Sequence, residues 1–250
     1  MSDWLIETQQ LTVAFDGFRA LDNLDFRVRR GEVRVVIGPN GAGKTTLLDV
    51  ISGKVAPTTG KVLFNGRSIG GLAENRIAHL GIGRKFQTPR IFSQLTVREN
   101  IELCARHAKT VLGVLSDRRL RDTTVDDVLA LVNLGDKAEQ RAGTLSHGEK
   151  QWLEIGMVVA QDPVLLLVDE PVAGMTDRET EKTSKLLRDL GATHTIIVIE
   201  HDMEFVRGLA QTVTVLHEGR LLCEGSVTQV QSNPRVAEVY LGRHALEAAH

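Results

Sequence analysis

The stretch VRVVIGPNGAGKTTLLDVISG, residues 33–53, decides the fold of this 250-residue chain. A run of β-branched residues leads into a glycine-rich loop, and an apolar helical run follows it. The loop and the first helical turn contain Gly38, Pro39, Asn40, Gly41, Ala42, Gly43, Lys44, Thr45 and Thr46. This is the G-x-x-x-x-G-K-[ST] pattern, in which backbone N–H groups surround a phosphate chain. Lys44 can neutralise terminal phosphate charge and the Thr45 hydroxyl can ligate Mg²⁺.

Acidic residues at the end of an apolar run supply the second half of a hydrolytic site. The run from Val164 to Val168 ends in Asp169 and Glu170, and ligands of a parallel sheet bind off the carboxyl ends of its strands. We expect Asp169 to hold the Mg²⁺ shell and Glu170 to polarise an attacking water. The alternative for one of the two acids is a simple helix-start charge. His201 follows a second apolar run, Thr195 to Ile199, which should end at the same edge of the sheet. It can therefore contact the terminal phosphate, although a structural histidine is the competing interpretation.

The order of apolar patterns predicts an α/β fold. The first quarter is strand-rich, with strands expected near Leu5 to Leu11, Leu24 to Val28 and Lys61 to Phe64. Between Gln94 and Leu134 the spacing becomes helical, which indicates an inserted helical segment. Beyond it, helices (149–161, 178–190) alternate with strands (164–168, 195–199), and this βαβ rhythm implies a parallel sheet. Residues 212–224 read as a closing hairpin.

The stretch LSHGEKQW, residues 145–152, has two interpretations. Ser146 and Glu149 form a Ser-x-x-Glu capping box, the usual mark of a helix N-terminus. Gly148 lies inside the box, where glycine is a poor choice unless something approaches the backbone closely. The stretch is therefore either an ordinary cap or half of a binding site.

Composition excludes several classes of protein. Lys and Arg total 30 against 32 Asp and Glu, a formal net charge of -2, so there is no general electrostatic reason to bind nucleic acid. The two cysteines, Cys104 and Cys223, are too few for a disulfide framework or a metal site. The N-terminus lacks a signal-peptide pattern, and no apolar run reaches the roughly 18 residues of a membrane span. We predict a soluble intracellular protein.

With these elements in this order, the chain resembles the ATP-binding subunits of ABC transporters over essentially its whole length. Leu145 to Glu149 lies where that family carries its Leu-Ser-Gly-Gly-Gln signature. Gln87, in KFQTPRIF, matches the family's glutamine loop, and His201 matches its switch histidine. Phe15, in LTVAFDGF, matches the aromatic residue that stacks on adenine, with Phe18 and a plain core phenylalanine as alternatives.

The resemblance implies a P-loop NTPase fold of the ABC ATPase type, with a mixed, largely parallel core sheet, an N-terminal antiparallel β subdomain and an inserted helical subdomain. It implies one domain, 1–250, with the core at 1–87 and 160–250 and the helical subdomain at about 88–159. The implied ligands are ATP and Mg²⁺, with Thr45, Gln87 and Asp169 on the metal. The implied catalytic residues are Glu170, His201 and Gln87.

The resemblance also implies partners. In this family Ser146 and the Gly148 N–H would close over the ATP of a second ATP-binding subunit, identical or paralogous, arranged head to tail. Integral membrane permease subunits would be bound directly and a solute-binding protein indirectly. The expected location is the cytoplasmic face of the cell membrane.

Three departures from the family pattern stand in the sequence. His147 replaces the first signature glycine and Glu149 replaces the glutamine. Thr176 occupies the place of the usual D-loop aspartate, and Asp177 comes one position late. The helical lobe is longer than a minimal one, around 112–124.

The transported solute is inferred by resemblance only. KFQTPRIF and the E-P-x-A-G-M stretch are similar to subunits that serve branched-chain amino acid and related uptake systems. LSHGEKQWLEIGM and EPVAGMTDRETEKT are more similar to urea importer ATPases, so we predict urea, with branched-chain amino acids as the alternative. A non-transport ABC-type ATPase is the rival from another class, but its long coiled coil or second cassette does not fit in 250 residues. A GTPase is disfavoured because no Asn-Lys-x-Asp motif occurs.

Overall fold

A computed structural model of the chain describes residues 4–85, 90–108 and 124–239 and has the α/β architecture that the sequence predicts. Its strands are β1 Trp4–Phe15, β2 Phe18–Arg29, β3 Val33–Ile37, β4 Thr59–Phe64, β5 Arg67–Ser68, β6 Ile82–Lys85, β7 Leu165–Asp169, β8 Thr195–Ile199, β9 Thr212–His217 and β10 Arg220–Gly225. Its helices are α1 Lys44–Ile51, α2 Glu74–His79, α3 Val97–Ala108, α4 Val125–Leu131, α5 His147–Val159, α6 Asp177–Gly191, α7 Met203–Leu209 and α8 Val227–Gln231.

The core is a six-stranded sheet in the order β10-β9-β3-β8-β7-β6. The five strands from β9 to β6 are parallel, and only β10 pairs antiparallel, on β9. Every residue of β3, β7 and β8 is buried, because helices or the second sheet cover both faces. Their continuous Val, Ile and Leu runs are the composition that such strands require.

A second, antiparallel sheet has the order β2-β1-β4-β5. Its first two strands are each twelve residues long, about twice the predicted length. Irregular pairing occurs where Gln10 and Asn23 take positive φ angles of 46° and 49°. Such bulges interrupt the alternation of apolar and polar residues, so a pattern search finds only the regular part of each strand.

Strand β6 is an element that the sequence reading missed. It contains one apolar residue other than glycine, Ile82, followed by Gly83, Arg84 and Lys85. It pairs parallel with β7 at the edge of the core sheet. Because buried charges replace the usual apolar run, neither the period nor the composition marks this segment as a strand.

Helices α3, α4 and α5 pack on one another in the region where helical spacing was predicted. Helix α5 begins at His147, two residues before the predicted helical run, and directly after Ser146, the N-cap that the capping box predicts. The proposed bounds of the helical subdomain stay a prediction. The extra segment predicted around 112–124 lies outside the described residues except for Thr124. Within the described ranges, no helix has both the length and the apolar content of a membrane span.

Candidate functional site

One edge of the core sheet collects the predicted chemistry. Parallel strands end at the same edge, and the order β3-β8-β7-β6 places four strand ends side by side. The glycine-rich loop follows β3, residues 200–202 follow β8, Asp169 ends β7 and Lys85 ends β6. The topology therefore brings together residues that are more than 100 positions apart in the chain.

The loop at 38–43 is fixed by close backbone packing. Gly38 and Gly43 have positive φ angles of 154° and 97°. A Cβ on Gly38 would lie 2.3 Å from the Leu216 carbonyl oxygen, and one on Gly43 would lie 2.5 Å from that of Ala20. The loop therefore packs closely against both β2 and β9. The Gly219 N–H also donates to the Ala42 carbonyl at 3.1 Å.

Lys44 begins helix α1 and folds back over the loop. Its Nζ donates to the carbonyl oxygens of Gly38 at 2.6 Å and Pro39 at 3.0 Å. Helix α1 has Gly43 as its N-cap, and no side chain of the described residues caps its first N–H groups. An uncapped helix N-terminus next to a lysine ammonium is suited to bind phosphate oxygens.

Asp169 is buried at the end of β7. Its carboxylate lies 3.5 Å from the guanidinium of Arg84, which also pairs with Asp49 of α1 at 2.6 Å. Burial raises the pKa of the Asp169 carboxyl, the nearby Glu170 also raises it, and the Arg84 charge opposes the shift. A cation bound at this edge would favour the ionised form.

Glu170 and His201 meet at the edge of the site. Glu170 has a positive φ of 44°, uncommon for a residue with a side chain, and its carboxylate is partly exposed. The His201 Nδ1 lies 3.8 Å from the Glu170 Oε1 and 3.8 Å from Glu200 Oε2. The two predicted catalytic residues from different strands are therefore neighbours in space.

Glu200 was not predicted to have a role, yet it organises this corner. It is buried, and its carboxylate accepts N–H groups from Val172 at 3.3 Å, His201 at 2.9 Å and Asp202 at 3.4 Å. Burial raises the pKa of the Glu200 carboxyl although these hydrogen bonds oppose the shift. Glu200 thus ties the segment after Glu170 to the segment that carries His201.

Ser146 forms the predicted capping box. Its hydroxyl accepts the Glu149 N–H at 3.3 Å, and the Glu149 carboxylate accepts the Ser146 N–H at 3.0 Å. Gly148 lies beneath a side chain of the same chain, since a Cβ there would lie 2.5 Å from Glu179 Oε1. The close approach that this glycine permits is therefore made, within the chain, by Glu179.

Comparison with known proteins places this geometry in a family. The ABC transporter model matches residues 21–173, and the model described as branched-chain amino acid ATP-binding cassette transporter matches residues 220–245. The chain is 34% identical to the high-affinity branched-chain amino acid transport ATP-binding protein LivG of Salmonella typhimurium, over 97% of this chain and 99% of that protein. The chain belongs to the ABC transporter family. It is an ATP-hydrolysing subunit, as the sequence predicted.

Solved structures of ABC cassettes agree with the fold. An ATP-binding cassette of an ABC transporter in its ADP conformation is 29% identical and superposes with a TM-score of 0.84, covering 96% of this chain and 100% of that chain. A dimeric ATP-binding cassette in a post-hydrolysis state, bound to ADP and phosphate, is 25% identical, with a TM-score of 0.75 and coverages of 89% and 98%. The predicted P-loop NTPase fold of the ABC type is confirmed.

The aromatic candidates for adenine lie at the tip of one hairpin. Phe15 and Phe18 are cross-strand partners that flank a two-residue turn, Asp16-Gly17, with φ angles of 46° and 89°. Both rings are exposed, at 46% and 65% of their surface. The structure therefore excludes the plain core phenylalanine and leaves the choice between the two rings open.

The departure at Thr176 has a structural explanation. The Thr176 hydroxyl accepts the Glu179 N–H at 3.4 Å, and the Glu179 carboxylate accepts the Thr176 N–H at 3.0 Å. Thr176 is therefore the N-cap of helix α6, a position that threonine and aspartate both favour. Asp177 is the first residue of that helix and not the cap.

His147, the other departure, joins two parts of the cassette. Its Nε2 lies 3.1 Å from the Ala173 carbonyl oxygen, in the loop that follows Glu170. The signature helix is thus docked on the segment next to the predicted catalytic carboxylate. A glycine at 147 could not make this contact.

The described residues fit a Mg²⁺ ion that is bound together with phosphates. Asp169 and Thr45 supply a carboxylate and a hydroxyl, the oxygen donors that Mg²⁺ prefers. Among the described residues, no cluster of three or more His, Cys, Asp or Glu side chains could hold a metal alone, but Mg²⁺ needs only one or two protein ligands beside phosphate oxygens and water. Gln87, the third predicted ligand, lies outside the described residues.

The two loop glycines allow a matched test of the packing argument. Gly41→Ala places a Cβ in open space at φ +80°, so only backbone strain of roughly 1 to 2 kcal/mol is expected. Gly43→Ala adds a collision with the Ala20 carbonyl, which should cost a further ~1 to 3 kcal/mol. Urea denaturation without nucleotide measures both. Equal losses of unfolding free energy would contradict the packing account.

Proposed function

We propose that this ABC ATPase powers the uptake of a small polar solute through a membrane permease, with branched-chain amino acids as the best-supported solute class. The observation that carries the proposal is the match of residues 220–245 to the branched-chain amino acid cassette model. The general ABC transporter match does not distinguish solutes. The likeness to LivG over 97% of the chain supports the same class.

Urea is the second candidate, and it now rests on sequence stretches alone. LSHGEKQWLEIGM and EPVAGMTDRETEKT are the segments that favour it. The named relative transports branched-chain amino acids. Branched-chain amino acids, the alternative solute in the sequence prediction, are therefore better supported than urea. The non-transport rival is disfavoured by the same likeness, because LivG is named as a transport protein.

The roles proposed for the site residues combine the family resemblance with the geometry of the described residues. The backbone of residues 38–46 and Lys44 would bind the ATP phosphates, and Thr45, Gln87 and Asp169 would hold Mg²⁺, which when bound neutralises phosphate charge. Glu170 would accept a hydrogen bond from the attacking water. His201, 3.8 Å from Glu170, would contact the terminal phosphate. One of the two exposed rings, Phe15 or Phe18, would stack on adenine.

The proposed assembly is a head-to-tail pair of ATP-binding subunits on permease subunits, at the cytoplasmic face of the membrane. Ser146 is exposed at the start of α5, where its hydroxyl could face the ATP of a partner. A dimeric solved cassette of the same fold supports a paired arrangement. The proposed permease contact is the face around 87–102, where the described Phe92 is half exposed. A solute-binding protein would act through the permease.

Glu170→Gln tests the hydrolytic assignment. The substitution keeps the size of the side chain and removes the charge that would polarise water, so kcat should fall at least about a hundredfold while ATP still binds. The exposed Glu204 on α7 gives a matched control, since Glu204→Gln removes a carboxylate three residues after His201. Steady-state phosphate release and equilibrium ATP binding measure the effect. Near-normal turnover in Glu170→Gln would refute the role.

Ser146→Ala separates the cap from the proposed contact with a partner's ATP. Loss of the cap alone should cost about 0.5 to 2 kcal/mol of unfolding free energy. Ser226→Ala is the matched control, because Ser226 caps α8 in the same kind of box, with an identical 3.3 Å bond to the N3 amide. In a Glu170→Gln background, Ser146→Ala should weaken ATP-dependent dimerisation and Ser226→Ala should not. Sedimentation with Mg-ATP decides, and equal dimerisation of both variants would leave LSHGE as a cap only.

Reconstitution tests the solute. The subunit would be purified with candidate permease subunits and a candidate solute-binding protein from the same organism and placed in liposomes. Leucine, isoleucine or valine should stimulate its ATPase activity, and the same assembly carrying Glu170→Gln sets the background. Stimulation by urea with no response to the amino acids would reverse the order of the two candidates.

A further inference from the structure

Lys85, at the end of β6, is a fully buried cation beside the hydrolytic edge. None of its surface is exposed, and its Nζ donates to the backbone carbonyl of Asp169 at 3.3 Å. Burial lowers the pKa of the Lys85 ammonium to about 8, and nearby carboxylates oppose the shift, Glu154 most strongly and then Asp169, Glu200 and Glu170. The sequence reading assigned no role to Lys85, nor to the strand that carries it.

The two charged residues of β6 face opposite sides of the sheet. Successive strand residues alternate between faces, and the parallel register pairs Arg84 with Leu167 and Lys85 with Val168. Arg84 reaches α1 through Asp49. Lys85 lies on the other face, the one covered by the helix α5.

Strand β6 packs closely against α5 on that face. A Cβ on Gly83 would lie 2.5 Å from a methyl group of Val158. Lys85 is two residues after Gly83, and Glu154 is one helical turn before Val158, so the strand and helix periods place Lys85 and Glu154 on the facing sides of β6 and α5. Glu154 is buried, and its Oε1 also accepts the Arg90 N–H at 3.1 Å.

We propose that Lys85 is a positioning residue for ATP hydrolysis: its ammonium holds the Asp169 backbone carbonyl and balances the buried negative charge of Glu154, and so fixes the end of β7 relative to the signature helix α5. The inference rests on the proposed roles of Asp169 and Glu170. Lys85 is not proposed to contact ATP or the attacking water. It acts by holding the strand end that presents the two carboxylates.

The test compares Lys85→Met with a buried cation elsewhere in the sheet. Arg34 on β3 is also buried, with 3% of its surface exposed, and it pairs with Glu32 and Glu224 at the opposite end of the strand from the phosphate loop. Both Lys85→Met and Arg34→Met should lower the melting temperature. Only Lys85→Met should lower kcat, by about tenfold to a hundredfold, with KM for ATP within about twofold of the parent, because a small displacement of reacting groups is costly.

A second substitution tests the link to Glu154. Glu154→Gln keeps an oxygen for the Arg90 N–H and removes the charge that Lys85→Met leaves buried. In the double variant kcat should recover at least about threefold over Lys85→Met alone. If Lys85→Met does not fold, the double variant Lys85→Met/Glu154→Gln is compared with Arg34→Met instead. The double variant should fold, and its kcat should be lower than that of Arg34→Met.

Three results would overturn the inference: parent-like kcat in Lys85→Met, a kcat loss matched by Arg34→Met, or strictly additive effects of the Lys85 and Glu154 changes. Glu170→Gln measured in parallel distinguishes failure of the proposed hydrolytic site from failure of the positioning role. Normal turnover in Glu170→Gln would mean that the proposed hydrolytic site is wrong. Lost turnover there with parent-like Lys85→Met would mean that only the positioning role fails.

Discussion

The carboxylate of Asp169 lies at the end of a strand that is buried on both faces, and the rest of the site depends on keeping that charge there. Burying an unpaired carboxylate costs free energy. Two adjacent residues of β6 place positive charge near Asp169 from opposite faces of the sheet. Arg84 faces the Asp169 side chain, and Lys85 donates to its backbone carbonyl. The same two cations contact α1 on one side and approach α5 on the other, so charge neutralisation also fixes the helices that flank the site.

Glu200 has the corresponding task on the neighbouring strand end. Its buried carboxylate accepts three backbone N–H groups from two different loops. These loops carry Glu170 and His201, whose side chains approach within 3.8 Å. The candidate catalytic pair is therefore held by a residue that lies behind it, in the same way that Lys85 lies behind Asp169.

Short sequence motifs predicted much of this arrangement. Functional residues that lie outside such motifs were not predicted. The phosphate loop, Asp169-Glu170 and the capping box at Ser146 are short patterns in which the residue types and their spacing carry the chemistry, so the sequence alone indicated where they lie and which fold they require. Strand β6 has no apolar period because its buried residues are charged. The sequence predicted a close approach to the backbone at Gly148 but not the residue that makes it. That residue, Glu179, is 31 residues away in sequence, and only the folded chain shows the contact. Lys85 donates to Asp169 and Glu200 accepts from Val172, partners that are 84 and 28 residues away in the sequence, so no single stretch displays these roles.

The signature helix connects these observations. At its N-terminus, His147 contacts the Ala173 carbonyl and Gly148 lies under Glu179, so the helix is attached to the loop after Glu170 and to α6. One turn further, the Trp152 indole N–H donates to the Thr183 hydroxyl at 2.8 Å, a second tie to α6. Glu154, one turn before the Val158 that packs on Gly83, then lies on the side of α5 that faces β6. An α-helix rises about 1.5 Å per residue, so these positions are spread over only ~12 Å from the proposed phosphate contact at Ser146. Within one chain, the position of the signature is therefore set by the same elements that position Asp169 and Glu170. In the proposed head-to-tail pair, the surface that each subunit offers to its partner's ATP would depend on the geometry of its own hydrolytic edge.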